Sequence, residues 1–105
     1  MKAPKLGRLE LLGRVARAVE TGEYRILPHA RRRCSEREVA VPDVEAALEK
    51  GRYVPRRDRF DERLASWSYC FEGASVDGEP LRVVVAFENW MLVVTVVLLG
   101  RGEEG

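Results

Sequence analysis

The residue types best suited to acid–base chemistry on an anion lie in one short stretch, "LPHARRRCSERE", at residues 27–38. It holds the only histidine of the chain, His29, together with four arginines. If the stretch is helical, His29, Arg33 and Arg37 lie on one face, because each step of four residues turns the helix by about 400°. Imidazole exchanges protons near neutral pH, and guanidinium groups bind phosphate through paired donors. We therefore take His29, Arg33 and Arg37 as the candidate catalytic residues.

The position of His29 at a helix start favours the same chemistry. Pro28 disfavours helix in the residue before it and suits a first helical turn, which predicts a helix over residues 29–38. The free backbone N–H groups of a first turn, and the helix dipole, favour an anion. This arrangement suits RNA cleavage by the 2′-hydroxyl, which needs a base, an acid and cationic support but no metal. The alternative is a structural histidine bonded to a backbone carbonyl.

A second basic run, "RRDRF" at residues 56–60, carries three arginines and one aromatic side chain against a single acid. Arginines interleaved with an aromatic residue are typical of surfaces that follow a single RNA strand. Arg56, Arg57 and Arg59 are therefore candidate RNA-binding residues. The alternative is a solvated loop with no ligand.

Tyr69 and Thr95 are weaker candidates on the predicted strands. Tyr69 belongs to the alternating stretch "ASWSYCFEG", so its ring either stacks on a base or lies in the core. Thr95 is the only polar side chain in "MLVVTVVLLG". Its hydroxyl either forms a hydrogen bond within the sheet or faces the site. Both are kept as candidate RNA-binding residues.

Composition restricts the class of protein and partner. The chain has 105 residues, of which 46% are hydrophobic, enough for one compact domain over residues 1–105. Its 18 basic and 17 acidic residues leave a net charge of +1, so any attraction for RNA must be local. Cys34 and Cys70 form no CxxC pair and, with one histidine, complete no zinc site, which predicts buried core thiols. We expect no metal and no cofactor.

Membrane insertion is not predicted. The N-terminal stretch lacks the unbroken apolar core of a signal peptide. The apolar run at residues 91–99 is shorter than the about 20 residues that a transmembrane helix needs. We therefore expect a cytoplasmic protein with no membrane partner.

The periodicity of apolar residues changes from helical to alternating along the chain. Spacings of three and four predict a helix over residues 6–20, and a later helix carries Pro42 in its first turn and ends at Gly51. The stretches "ASWSYCFEG", "LRVVVAFE" and "MLVVTVVLLG" predict strands, with "RYVP" as an edge strand and "RRDRFDER" as a loop. The predicted fold class is α+β, with the N-terminal helices packed on one face of a three- to four-stranded antiparallel sheet.

Residues 24–98 resemble a bacterial family of small uncharacterised domains. Its pattern is a tyrosine, a His-Ala pair, arginines four and eight residues after the histidine, a helix ending in glycine, a Gly-x-Pro-Leu segment and a Val-Thr-Val strand. The matching positions are Tyr24, His29, Ala30, Arg33, Arg37, Gly51, residues 78–81 and residues 94–96. Two features depart from the pattern. "EVAVPD" stands where the family has glycine and a capping Ser or Thr between two helices, and the chain is nearly neutral rather than basic.

That family is often found beside a zinc-finger antitoxin and is similar to the RelE and MqsR toxins. The resemblance implies a RelE/MqsR-like core over residues 24–98, with the helix at residues 6–20 outside it. It also implies metal-independent mRNA cleavage and an antitoxin protein as partner, with His29, Arg33 and Arg37 as the functional set and Tyr69 and Thr95 as additions. The alternative from another class is a non-catalytic protein-binding module of the same fold, which the two apolar C-terminal strands would suit as a homodimer.

Overall fold

The computed structural model describes residues 4–100, which form three α-helices and six strands. The helices are α1 (Arg8–Thr21), α2 (Pro28–Glu36) and α3 (Val41–Lys50). The strands are β1 (Tyr24–Ile26), β2 (Arg52–Tyr53), β3 (Arg59–Asp61), β4 (Ser66–Ala74), β5 (Pro80–Phe87) and β6 (Met91–Leu98), and a short 3₁₀ helix (Pro55–Arg57) lies between β2 and β3. The predicted α+β class is confirmed. No helix within residues 4–100 is long and apolar enough to cross a bilayer.

The sheet is larger than predicted and mixed in direction. Its strand order is β1-β6-β5-β4-β2, with β3 also paired to β4. All pairs are antiparallel except β1 with β6, which is parallel. The prediction of three to four antiparallel strands was therefore wrong, and the predicted loop "RRDRFDER" contains β3. The added strands have only two or three residues, too few for an alternating pattern to show in the sequence.

All three helices bury their apolar stripes against one face of the sheet. Alternating residues of the three long strands share that face, because Phe71 pairs with Val83 and Val83 with Val96. Burial of each large apolar side chain stabilises the fold by about 1.5–3 kcal/mol. The buried cluster includes Leu11, Val15, Ala30, Cys34, Val44, Ala47, Phe71, Val83, Val85, Val93 and Val96.

A β-bulge in β6 reverses the alternation of that strand. Val85 pairs with Val93 and Val84 pairs with Thr95, so Val94 is an extra residue without a partner in β5. Val93 and Val96 consequently both lie in the helix-side core. Thr95 lies instead on the opposite side of the sheet, here called the second face. In an unbroken strand Thr95 would have shared the side of Val93.

Two glycines allow the C-terminal end of α3 to lie directly on β4. A Cβ atom at Gly73 would lie 2.6 Å from the Ala47 carbonyl oxygen and 2.9 Å from the Cα atoms of Ala47 and Gly51. A Cβ atom at Gly51 would lie 2.2 Å from the same Ala47 oxygen. All of these neighbours are backbone atoms, so no flexible side chain can move aside.

We expect Gly73→Ala to destabilise the protein by about 1–3 kcal/mol or more, because the added methyl group forces α3 away from β4. The free energy of unfolding in urea measures the effect. The control is Gly13→Ala within α1, where the added Cβ has no described neighbour within 4 Å beyond its own helix backbone and adjacent residues. That change is expected to stabilise the protein by up to about 1 kcal/mol through helix propensity. Equal effects of the two substitutions would contradict the close packing of α3 on β4.

Candidate functional site

His29 is the second residue of α2 and its side chain is exposed. The helix begins at Pro28, as the sequence predicts within one residue, and Leu27 precedes it in extended conformation. The backbone N–H of Leu27 donates to the Val93 carbonyl at 3.0 Å, which ties the start of α2 to β6. The imidazole makes no hydrogen bond with another described residue. The structure therefore leaves the ring free for a ligand.

The side chain of His29 opens into a cavity of about 460 Å³, here called the His29 cavity. Apolar side chains form most of its wall, and its polar side chains are those of His29, Thr95 and Arg63. The structure thus brings together two residues predicted from the sequence, His29 and Thr95, and adds Arg63. The lining residues are Leu27, Pro28, His29, Arg63, Leu64, Val94 and Thr95.

The loop between β3 and β4 supplies one side of the cavity and is held in place by Asp61. The Asp61 carboxylate accepts hydrogen bonds from the backbone N–H groups of Arg63 at 2.9 Å and Leu64 at 3.2 Å. It also lies 3.7 Å from Nε of Arg63. Ala65 has a φ of 51°, a left-handed conformation that is uncommon for a residue other than glycine. Arg63 was not singled out from the sequence. Asp61, two residues before it, is a turn-forming residue type and could have indicated an ordered loop here.

Arg33 and Arg37 lie progressively farther from the cavity. Arg33 is half-buried one helical turn after His29, at the spacing that brings two side chains side by side. Its Nε atom is buried and has no hydrogen-bond partner in the structure. Arg37 is the C-cap of α2, eight residues and therefore about 12 Å from His29 along the helix.

Arg37 lines a different cavity of about 140 Å³, among acidic residues. The helix ends at Glu36 rather than at residue 38, and Glu38 follows with a φ of 55°. This is the left-handed conformation that glycine adopts most easily. Glu38 belongs to the segment "EVAVPD", where the family described above has a glycine. The structure therefore joins His29 to Thr95 and Arg63, and it places Arg37 at the other end of α2.

The second basic run lies at the β4 edge of the sheet. Arg56 and Arg59 are exposed, and Arg59 donates to the Asp58 carbonyl at 2.8 Å. Nε of Arg57 lies 3.8 Å from Glu72, as does Nη2 of Arg52.

One carboxylate therefore faces three guanidinium groups, and we call this set the Glu72 cluster (Glu72 with Arg52, Arg57 and Arg82). Arg82 makes its closest contact, since Nε and Nη2 donate to Glu72 at 3.1 and 2.9 Å. This hydrogen bonding to Arg82 lowers the pKa of Glu72 below its usual value. Sequence reasoning missed Arg82 because only the β4–β5 register brings it opposite Glu72.

Tyr69 is a core residue in this structure. Its side chain is buried, and its hydroxyl oxygen accepts a hydrogen bond from the backbone N–H of Leu6 at 2.9 Å. Its ring packs near those of Tyr53 and Phe87. The ring face is therefore covered, whereas a stacked base requires an open one. The sequence left two interpretations of Tyr69, a ring that stacks on a base and a ring in the core. In the structure the ring lies in the core.

The cysteines occupy the apolar positions that the sequence predicts. Cys34 and Cys70 are buried and free. Burial raises the pKa of both thiols, so they stay protonated at neutral pH and are poor nucleophiles. Among residues 4–100, no group of three or more His, Cys, Asp or Glu side chains is placed to hold a metal ion.

We expect Glu72→Gln to destabilise the protein by about 1.5–3 kcal/mol at neutral pH, the usual range for a hydrogen bond to a charged group. Because the pKa of Glu72 is lowered in the folded state, its carboxylate stabilises the fold above the unfolded pKa near 4.5. That contribution disappears as the pH falls through the lowered value. The difference between wild type and variant should therefore shrink below pH 4.5.

Urea unfolding at neutral and acidic pH measures this difference. Glu49→Gln is the matched control, since Glu49 is exposed on α3 and forms no ion pair with a described residue. A Glu72→Gln effect that stays constant across this pH range would contradict the assigned role of the carboxylate.

Comparison with known proteins gives a family but no activity. Residues 26–97 match the model of a family described as a domain of unknown function, DUF4258. No curated protein and no solved structure matches the chain. Nothing in these comparisons links it to the RelE or MqsR toxins. The matched residues make up more than half of the chain and contain α2, the His29 cavity and the Glu72 cluster, whereas α1 lies outside them. The chain therefore belongs to the DUF4258 family.

Proposed function

We propose that this domain is a toxin-like ribonuclease that cleaves single-stranded RNA without a metal, at the His29 cavity. One observation carries the proposal: an exposed imidazole at the start of α2 shares a cavity of about 460 Å³ with Thr95 and Arg63. A proton acceptor, a hydroxyl group and a cation in one concave site are the groups that phosphodiester chemistry uses.

In the proposed step, the 2′-hydroxyl oxygen of one nucleotide attacks the adjacent phosphorus. The bond from phosphorus to the 5′-oxygen of the next nucleotide breaks. His29 accepts the proton of the 2′-hydroxyl, and water protonates the leaving 5′-oxygen. The products are a 2′,3′-cyclic phosphate and a free 5′-hydroxyl, and the imidazole returns its proton to solvent.

Three features support binding of the phosphate beside His29. The N-cap of α2 is Leu27, whose side chain accepts no hydrogen bond, so the first-turn backbone N–H group of the exposed residue His29 has no side-chain cap and can meet an anion. Arg63 is largely exposed, and its ion-pair partner among residues 4–100 is Asp61, at 3.7 Å. Arg33 lies one helical turn after His29, and its buried Nε has no partner among the described residues, an unsatisfied donor that a bound anion or a water molecule would satisfy.

The second face of the sheet supports a path for the rest of the RNA strand. Thr95 pairs with Val84, and Arg82 lies two residues farther along β5. With strands about 4.8 Å apart, the Glu72 cluster begins within about 10 Å of Thr95. Its guanidinium groups outnumber its carboxylate, and Arg56 and Arg59 lie next to it. We assign the phosphates beyond the cleavage point to these arginines.

The test is cleavage of a single-stranded RNA by the purified protein in EDTA. We expect His29→Ala to lower the rate by about 100-fold or more, as loss of a general base does. Arg33→Ala should also lower the rate, through weaker binding of the phosphate in the transition state. Detection of the 2′,3′-cyclic phosphate product identifies the chemistry.

Arg31→Ala is the matched control, because Arg31 is an exposed arginine of α2 two residues after His29, a spacing at which helical side chains do not face each other. It should cleave at the wild-type rate. Wild-type protein that cleaves no RNA after removal of any bound inhibitor, or equal rates in wild type and His29→Ala, would refute the proposed activity.

A second candidate function is protein binding at the outer edge of β1. Among the described residues β1 pairs only with β6, so its other edge offers backbone groups to an added strand. A strand added there would lie next to Leu27 and cover the His29 cavity, which is how an antitoxin would inhibit the enzyme. A second copy of the chain could bind the same edge. Recovery of a stoichiometric protein partner or a homodimer, with no RNA cleavage after their separation, would favour this function.

A further inference from the structure

Trp90 is a large aromatic side chain in an exposed position. It lies in the turn between β5 and β6, and 45% of its surface is exposed. The turn is closed by a hydrogen bond from the Glu88 N–H to the Trp90 carbonyl at 3.0 Å. The guanidinium of Arg25 lies 5.7 Å from the ring centroid. A ring that is held by a cation on one side and open on another is suited to stacking on a planar ligand.

Trp90 also forms one wall of a cleft of about 370 Å³. Arg17 and Asn89 bring hydrogen-bond donors to this cleft, and Glu23 and Glu88 bring acceptors. Charges of both signs make the cleft unfavourable for a phosphate. The edge of a nucleobase, in contrast, presents donors and acceptors together beside a flat apolar face.

The cleft and the His29 cavity are neighbours on β6. Met91 lines the cleft and Val94 lines the cavity, and three residues of strand span about 10 Å. The cleft is also lined by Arg14, Arg17 and Ala18 of α1, so it lies at the helix-side end of the sheet, whereas Thr95 places the cavity on the second face. Arg25 and Leu27 alternate with the core residue Ile26, so both extend on the second face. Arg25 contacts Trp90, and Leu27 lines the His29 cavity. An RNA segment that runs along the edge strand β1, past Arg25 and Leu27, can therefore reach both sites.

We infer that the cleft at Trp90 binds a nucleobase of the RNA strand whose phosphate lies in the His29 cavity. The base stacks on the indole ring, backed by Arg25, and its edge meets the polar side chains of the cleft. This inference rests on the proposed function, because the phosphate in the cavity determines which nucleotide reaches Trp90. The cleft selects the nucleotide next to the cleavage point by stacking and by hydrogen bonds to the base edge.

The test uses a single-stranded RNA hexamer with 2′-O-methyl groups, which cannot be cleaved because the attacking hydroxyl is blocked. Affinity is measured by fluorescence anisotropy of the labelled hexamer. We expect Trp90→Ala to weaken binding about tenfold, as loss of one base-stacking side chain does, and Trp90→Phe to retain most of the affinity. Leu9→Ala removes another exposed apolar side chain, on α1, and should bind like wild type.

A second measurement reports on the ring directly. The chain has two tryptophans, so Trp67→Phe leaves Trp90 as the only one. Saturable quenching of its fluorescence by the same hexamer would support stacking on Trp90. Unchanged Trp90 fluorescence at a hexamer concentration that saturates the anisotropy signal would overturn it.

The outcomes separate this inference from the proposed activity. If His29→Ala lowers RNA cleavage and Trp90→Ala leaves hexamer binding unchanged, the base site is refuted and the catalytic proposal stands. If hexamer binding depends on Trp90 and the protein cleaves no RNA, the base site stands and the catalytic proposal is refuted. A hexamer that does not bind wild type refutes the base site.

Discussion

Tyr24, Arg25 and Ile26 pair in parallel with Met91, Leu92 and Val93, and the next backbone N–H, that of Leu27, donates to Val93. These bonds join the start of α2 to β6. Pro28 then begins the helix, so His29 lies two residues after Leu27, the last residue bonded to β6. The first turn of α2 therefore lies beside β6 where that strand carries its bulge. Tyr24 donates a hydrogen bond to Glu45 of α3, which holds β1 against the helix layer as well.

The bulge at Val94 determines which side chains of β6 lie on each face of the sheet. Without it, Thr95 would lie among the valines that pack on the helices, where a hydroxyl group would need a buried partner. With it, the core keeps Val93 and Val96, and Thr95 contributes to the cavity beside His29. Bulges of this kind are common beside active sites because one extra residue redirects a side chain.

Charge is distributed unevenly in a chain that is almost neutral overall. The Glu72 cluster and its neighbouring arginines concentrate positive charge on the second face. A separate set of polar contacts holds the fold: Asp58 is buried, pairs with Lys5 at 2.9 Å and accepts hydrogen bonds from Tyr53 and the Cys70 backbone. The Asp58 carboxylate thus interacts with Lys5, Tyr53 and the Cys70 backbone, whereas the exposed Arg59 donates only to the Asp58 and Arg56 carbonyl oxygens among the described residues. Under the proposed function, a local excess of guanidinium groups rather than the net charge would attract RNA.

The sequence by itself determined the helices, the three long strands, the burial of both cysteines and the place of His29 at a helix start. Each of these depends on local periodicity or on a proline or glycine nearby, which sterics alone can decide. Only the tertiary structure decided the parallel β1–β6 pair, the two short strands at β4, the side on which Thr95 lies, and the placement of Arg37 in a different cavity from His29. These depend on register between residues far apart in the chain and on the length of a helix in its packed state. A pattern of neighbouring residues does not specify them, because many registers bury the same apolar side chains.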